Sequence, residues 1–186
     1  MPIEIQPGAG ILYMKVGTHA NESLEDIILR KQKEIEDEGF ALWGYGGNTC
    51  HPTSMVQPFA TQLSLAGVPL ILAMKPMNSK HFAEPVRAQQ MSADGASWQT
   101  IPPGVNARGS RFALVLDSLE EAKFELPLDA TRVAVGRSMG RTGSDYIKGR
   151  VDKACLEWTG DPGAGLAPVT IELVGNVVAP HAVFLR

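Results

Sequence analysis

The sequence predicts an α+β fold in which a parallel strand–helix–strand–helix–strand part packs with an antiparallel, partly barrel-like C-terminal sheet. Residues 1–75 alternate short apolar runs with helical patterns, which is typical of a βαβαβ-like half. Residues 98–186 contain short strand patterns separated by turns and form a β-rich half. Residues 76–97 are polar and form a connecting loop, and a length of 186 residues fits a single domain, 1–186.

The first strand and the first helix have local signals at their ends. The run ILYMKVG (11–17) is short and apolar, as a strand is. Apolar residues then recur at helical spacing, Ser23 fits an N-cap, and Gly39 can adopt the left-handed conformation that ends a helix. We therefore predict a helix over 24–38, with its charged run KQKEIEDE (31–38) on a solvated face.

Two further strands and one more helix complete this half. FALWGY (40–45) and VPLILAMK (68–75) are the strand candidates, and the second is apolar enough to be buried on both faces. Between them, Pro58 suits the first turn of a helix over roughly 55–66, which Gly67 ends. Strands joined through short helical connections run parallel, so the carboxyl ends of all three strands should meet at one rim.

The second half has no comparable helices. Strand patterns occur in SWQTI, RFALVLD, ATRVAVG, YIKGRVDKACLEW, VTIELVG and HAVFLR, and SLEEA (118–122) fits one helical turn. Strands without intervening helices pair antiparallel.

Composition limits the class of protein. The chain is 44% hydrophobic and 20% charged, which is typical of a soluble globular protein, and its net charge of −3 does not favour a nucleic-acid partner. The start MPIEIQPGAG has no signal-peptide pattern, and no apolar run approaches the ~20 residues that span a bilayer. We expect a cytoplasmic location and no membrane partner.

Polar residues follow the predicted strands and mark the rim as a binding site for a small anionic molecule. Glycines let a backbone approach a ligand closely, and the amides at a helix start can hold an anion. The run GGNTCHP matches neither the dinucleotide fingerprint nor the P-loop, because no third glycine and no Gly-Lys-Ser/Thr follow at the required spacing. The candidate ligand-binding residues here are Asn21, Tyr45, Gly46, Gly47, Asn48 and Thr49.

The same run allows an enzyme as an alternative. A thiol near a helix N-terminus has a lowered pKa and can act as a nucleophile, with a histidine as its base. Cys50 is then the nucleophile of a hydrolase or transferase, with His19 or His51 as the base. No zinc-ligand spacing occurs, and we assign neither a metal nor a cofactor.

A second candidate binding feature, which is basic, lies at residues 132–153. Glycines punctuate this run, and its arginines suit phosphate or carboxylate recognition. We expect Arg137, Arg141 and Lys148 to neutralise the ligand, and Tyr45 or Tyr146 to stack on a base or a sugar.

With its VAVG and YIKGRV runs, the strand-rich half resembles, in its overall pattern of strands, the small barrels of PUA-like readers of RNA and modified bases. The resemblance implies a second alternative, an RNA or modified-base reader that uses the basic loop. The leading hypothesis from the sequence is a binding module for a nucleotide or another phosphorylated metabolite at the strand-end rim.

Overall fold

The computed structural model describes residues 5–45, 53–81, 84–148, 151–160 and 167–186. In chain order its elements are β1 (Gly10–His19), α1 (Leu24–Glu38), β2 (Ala41–Gly44), α2 (Thr53–Leu65), β3 (Leu70–His81), β4 (Gln90–Ser92), β5 (Gln99–Thr100), β6 (Phe112–Pro127), a 3-10 turn (Leu128–Ala130), β7 (Thr131–Val133), α3 (Gly143–Tyr146), β8 (Lys153–Trp158) and β9 (Pro168–Leu185).

Helix α1 has the predicted bounds because both of its ends are capped locally. The Ser23 hydroxyl accepts a hydrogen bond from the Asp26 amide at 3.2 Å, as an N-cap does. At the other end, Gly39 has a φ of 84° and its amide donates to the Ile35 carbonyl. These contacts satisfy backbone groups that a helix end otherwise leaves without partners.

The pairing of the N-terminal strands confirms part of the prediction and corrects the rest. Strands β1 and β3 are parallel neighbours, with Leu12 opposite Leu72. The prediction that β2 joins them is wrong, because β2 pairs antiparallel with β6. The other edge of β1 is occupied by β8 and that of β3 by β9, so neither strand has an edge left for β2.

The C-terminal half forms antiparallel ladders, as predicted, between β6 and β9 and between β7 and β8. Residues 118–122 lie within β6 and are not a helical turn, because they pair along β9. The two predicted strands over 169–175 and 181–186 belong to one strand, β9.

Strands of both halves belong to one sheet and are intermixed in it. For the described residues the main order is β2-β6-β9-β3-β1-β8-β7, with β4 and β5 off this path, and the sheet is open. The expectation of a partly barrel-like sheet is therefore corrected to an open sheet with β2 and β7 at its edges. The predicted loop over 76–97 is also partly strand, since β3 extends into it and β4 pairs with β9 there.

Both long helices contact the same side of the core. Ile27 of α1 and Phe59 of α2 belong to one buried cluster with Leu12 of β1 and Trp43 of β2. Strands β1 and β2 do not pair with each other, so this shared cluster brings them together beneath the helices. Within the described residues, none of the helices has the length and apolar content needed to cross a membrane.

Gly39→Ala should lower the free energy of unfolding by about 1 kcal/mol, because only the left-handed backbone, and no contact, opposes a side chain there. A Cβ added at Gly39 meets nothing within 4 Å. Urea unfolding measures the change. Gly39→Asn is the control, because asparagine tolerates this conformation and should cost less. Equal losses for both variants would contradict the explanation.

Candidate functional site

A cavity of about 560 Å³ lies where the end of β1 faces β2 and the start of β6. Its walls are residues 14–20 with Glu22, residues 42–45, residues 106–112, and side chains from α1. Met77, Asp152 and Lys153 also line it. This volume falls in the range of roughly 300–1,000 Å³ that small-molecule sites occupy. We refer to it as the β1–β2 cavity.

The lining of the cavity is rich in positive charge. Among the described residues, six cationic side chains and two carboxylates line it. The cations are Lys15, Arg30, Lys31, Arg108, Arg111 and Lys153, and the carboxylates are Glu22 and Asp152. A cleft lined mainly by one sign of charge attracts ligands of the opposite sign. The cavity is therefore suited to an anion.

Residues 106–111 form one wall, which we call the arginine segment. Gly109 takes a positive φ of 65° and its amide donates to the Val86 carbonyl at 3.1 Å. The Arg108 carbonyl lies 3.0 Å from Nε2 of His19, at the end of β1. Both Arg108 and Arg111 line the cavity from this segment.

Gly44 of β2 lies directly against the arginine segment. A Cβ built at this position would lie 2.5 Å from the Ser110 hydroxyl oxygen. Such a contact is closer than atoms can approach without moving. The absence of a side chain at Gly44 therefore lets β2 and the arginine segment form adjoining walls.

A buried cluster of charged residues connects α1 to the arginine segment. Arg30 makes two hydrogen bonds to the Glu22 carboxylate, at 2.5 and 3.0 Å, and a third to Glu34 at 2.9 Å. Lys31 donates to Glu34 at 3.1 Å. The side chains of Lys31 and Glu34 are 4% and 3% exposed, so water does not solvate either charge.

Burial has a direct effect on these charges. Desolvation lowers the pKa of Lys31 from 10.5 to about 8, against the attraction of Glu34. The hydrogen bonds from Arg30 lower the pKa of Glu22. The expectation that residues 31–38 form a solvated face is wrong for Lys31 and Glu34. Both follow Ile27 at helical spacing, on the stripe that faces the core.

The other end of the cavity combines aromatic and charged groups. The Lys153 ammonium lies 5.5 Å from the centroid of the Tyr45 ring, within the range of a cation–π contact. Tyr45 is 2% exposed, and its amide donates to the Phe112 carbonyl. The aromatic ring that follows β2 and the cation at the start of β8 thus lie together at this end of the cavity.

Of the predicted site residues that the structure describes, His19 and Tyr45 line the cavity. Asn21 does not; it is exposed, and with Ala20 it forms a tight turn in which both residues have positive φ. The His19 and Glu22 backbones close this turn with two hydrogen bonds. Asparagine suits that conformation, so a turn explains its presence.

The glycine run falls outside the described residues. Gly46, Gly47, Asn48, Thr49, Cys50 and His51 all lie there, immediately after Tyr45. The thiol-enzyme hypothesis therefore stays a prediction.

His19, the other residue of that hypothesis, is described. Its Nε2 atom contacts the Arg108 carbonyl, and because a carbonyl only accepts hydrogen bonds, Nε2 is the donor. The other cysteine, Cys155, is buried in β8.

Within the described part of the predicted basic loop (132–153), only Asp152 and Lys153 at its end line the cavity. Arg137, Arg141 and Lys148 are exposed, and none of them lines the cavity. Arg141 donates to the Asp145 carbonyl, and Lys148 forms an ion pair with the same residue at 3.6 Å.

Tyr146, predicted to stack on a ligand, packs instead against a second buried cluster that contains Ile11 and Tyr13. Leu12 of the same strand belongs to the helix-side cluster that contains Trp43. Side chains alternate between the two faces of a strand, so Tyr146 packs on the face away from the helices.

The chain matches no protein-family model, no curated protein and no solved structure. The site is therefore interpreted from its own geometry.

The depressed pKa of Lys31 makes stability depend on pH. Between about pH 8 and pH 10.5 the unfolded chain holds this proton and the folded protein does not, so the free energy of unfolding should rise with pH. Relative to Lys31→Met, the wild type should gain up to roughly 3 kcal/mol across this range in urea unfolding.

Lys33→Met is the matched control, because Lys33 lies on the same helix with its side chain 72% exposed. Its difference from the wild type should not rise over the same pH range. A parallel pH dependence for the two variants would contradict the assignment to Lys31.

Proposed function

We propose that the protein is a binding module for a small anionic ligand, most simply a nucleotide, which occupies the β1–β2 cavity. The observation that carries the proposal is the excess of cationic over acidic side chains around a 560 Å³ cavity, counted over the described residues. Arginine forks bind phosphate and carboxylate groups through paired hydrogen bonds.

A nucleotide fits the mixture of surfaces better than a free inorganic anion does. The partly exposed Phe112 lines the cavity beside the buried Trp43 and Tyr45, and an aromatic ring favours a planar base. In this proposal Arg108 and Arg111 neutralise the phosphate, and Lys153 supports the end near Tyr45. Gly46, Gly47, Asn48 and Thr49 are retained as ligand contacts, because they directly follow Tyr45 in the sequence.

Arg111 is a suitable residue to test, because it is exposed while it lines the cavity. Thermal shift and calorimetry with AMP, ATP, ribose 5-phosphate and inorganic phosphate should identify a ligand, with adenosine as the uncharged comparison. A ligand at a hundred times its Kd should stabilise the fold by about 2.7 kcal/mol. Arg111→Ala should weaken binding by about tenfold or more, since a charged hydrogen bond is lost.

Arg137→Ala is the matched control, because Arg137 is an exposed arginine that does not line the cavity. Its affinity should equal that of the wild type. Equal losses for Arg111→Ala and Arg137→Ala would reject the cavity as the site. No stabilisation by any of these anions at millimolar concentration would reject the proposal. Salt-dependent binding to RNA that Arg137→Ala weakens would favour the alternative reader that uses the basic loop.

A further inference from the structure

We propose that Glu34, with Arg30 and Lys31, is a positioning residue that fixes Arg108 at the cavity by clamping the backbone of Asn106. The inference rests on the proposed function, since it assigns a means of orienting a ligand-binding arginine. It concerns side chains of α1, of which Arg30 and Lys31 line the cavity but are bonded to Glu22, Glu34 and Asn106 and are not assigned as ligand contacts.

The contacts converge on one residue. The Asn106 amide donates to Glu34 Oε1 at 3.0 Å. The Asn106 carbonyl accepts from Arg30 Nη1 and from Lys31 Nζ, each at 2.6 Å. Charged groups of one helix therefore satisfy both backbone groups of a residue more than seventy positions away.

The clamped residue in turn holds Arg108. Its side-chain oxygen, Asn106 Oδ1, accepts from Arg108 Nε at 3.2 Å. Nε lies at the base of the guanidinium, so this bond constrains the orientation of the whole planar group. Two hydrogen bonds thus connect the helix to the cavity, one between Glu34 and Asn106 and one between Asn106 and Arg108.

Burial indicates that the cluster does more than fill space. Removing two charges from water costs several kcal/mol per ion, and well-packed apolar residues of similar volume are often as stable or more so. Apolar residues at 31 and 34 would not hydrogen-bond the Asn106 backbone. The feature specific to the charged cluster is therefore the fixed position of the arginine segment.

The remainder of the arginine segment has separate anchors. The Ala107 carbonyl accepts from the Ala88 amide at 2.9 Å, and the Gly109 amide donates to Val86. These bonds hold the middle of the segment against residues 86–88. Loss of the Glu34 clamp should therefore free the end that carries Asn106 and reorient Arg108, while the fold persists.

The test compares Glu34→Met with Glu36→Met. Both replace a glutamate of α1 by an apolar side chain of similar length that has no carboxylate oxygen, but Glu36 is exposed while Glu34 is 3% exposed. With AMP as the probe, Glu34→Met should bind about tenfold more weakly, because Arg108 is no longer held in its binding orientation. Glu36→Met should bind like the wild type.

A double-mutant cycle separates positioning from general destabilisation. If Glu34 acts through Arg108, Glu34→Met should have little further effect on affinity in an Arg108→Ala background. If its role is only structural, the two losses should multiply, and the proposal is overturned. Should Glu34→Met not fold, Arg30→Lys serves in the same cycle, because it keeps the charge and removes the guanidinium fork.

Hydrogen exchange decides the clamp independently of any ligand. The amides of residues 106–108 should exchange faster in Glu34→Met than in Glu36→Met, with the amides of β6 unchanged. Unchanged exchange at 106–108 overturns the clamp even if AMP binds. Absence of AMP binding in the wild type, together with faster exchange at 106–108, rejects the proposed ligand and supports the clamp.

Discussion

The two-sided pairing of β9 determines how the rest of the structure is arranged. One edge of this strand pairs with β3 and the other with β6, along a ladder that runs from Phe112 to Pro127 of β6. Strand β2 adds to the far edge of β6, while β1 adds to the far edge of β3. The helices cover the face between them, and the β1–β2 cavity forms where the ends of β1 and β2 approach without pairing.

The charged residues of α1 give this cavity a second constraint. The stripe of α1 that faces the core contains Ile27 and Ile28, but also Lys31 and Glu34. Buried charges need partners, and here the partners are each other, Arg30 and the backbone of Asn106. The helix therefore packs through apolar contacts and also fixes a connecting segment that has no regular secondary structure.

Features set by neighbouring residues could be predicted from the sequence, and features set by distant pairing could not. Helix α1 was predicted with its bounds because Ser23 and Gly39 cap it locally. The partner of β2 depends on β8 and β9, which lie far along the chain, and no local pattern encodes that competition. At the site, His19 and Tyr45 were found, but Arg108 and Arg111 were missed. In sequence they resemble Arg137 and Arg141, and the two groups are distinguished by the long-range contacts of residues 106–109 with α1, His19 and residues 86–88.

The location of β9 has a consequence for how the chain is made. It lies in the middle of the sheet, yet it is the last of the described strands to leave the ribosome. Until it arrives, β3 and β6 each lack the neighbour that covers one side of their backbone, and open strand edges favour association with other chains. Assembly of the sheet must therefore wait for the synthesis of β9, with the nascent chain dependent on helix α1 and the β1–β3 pair for early order.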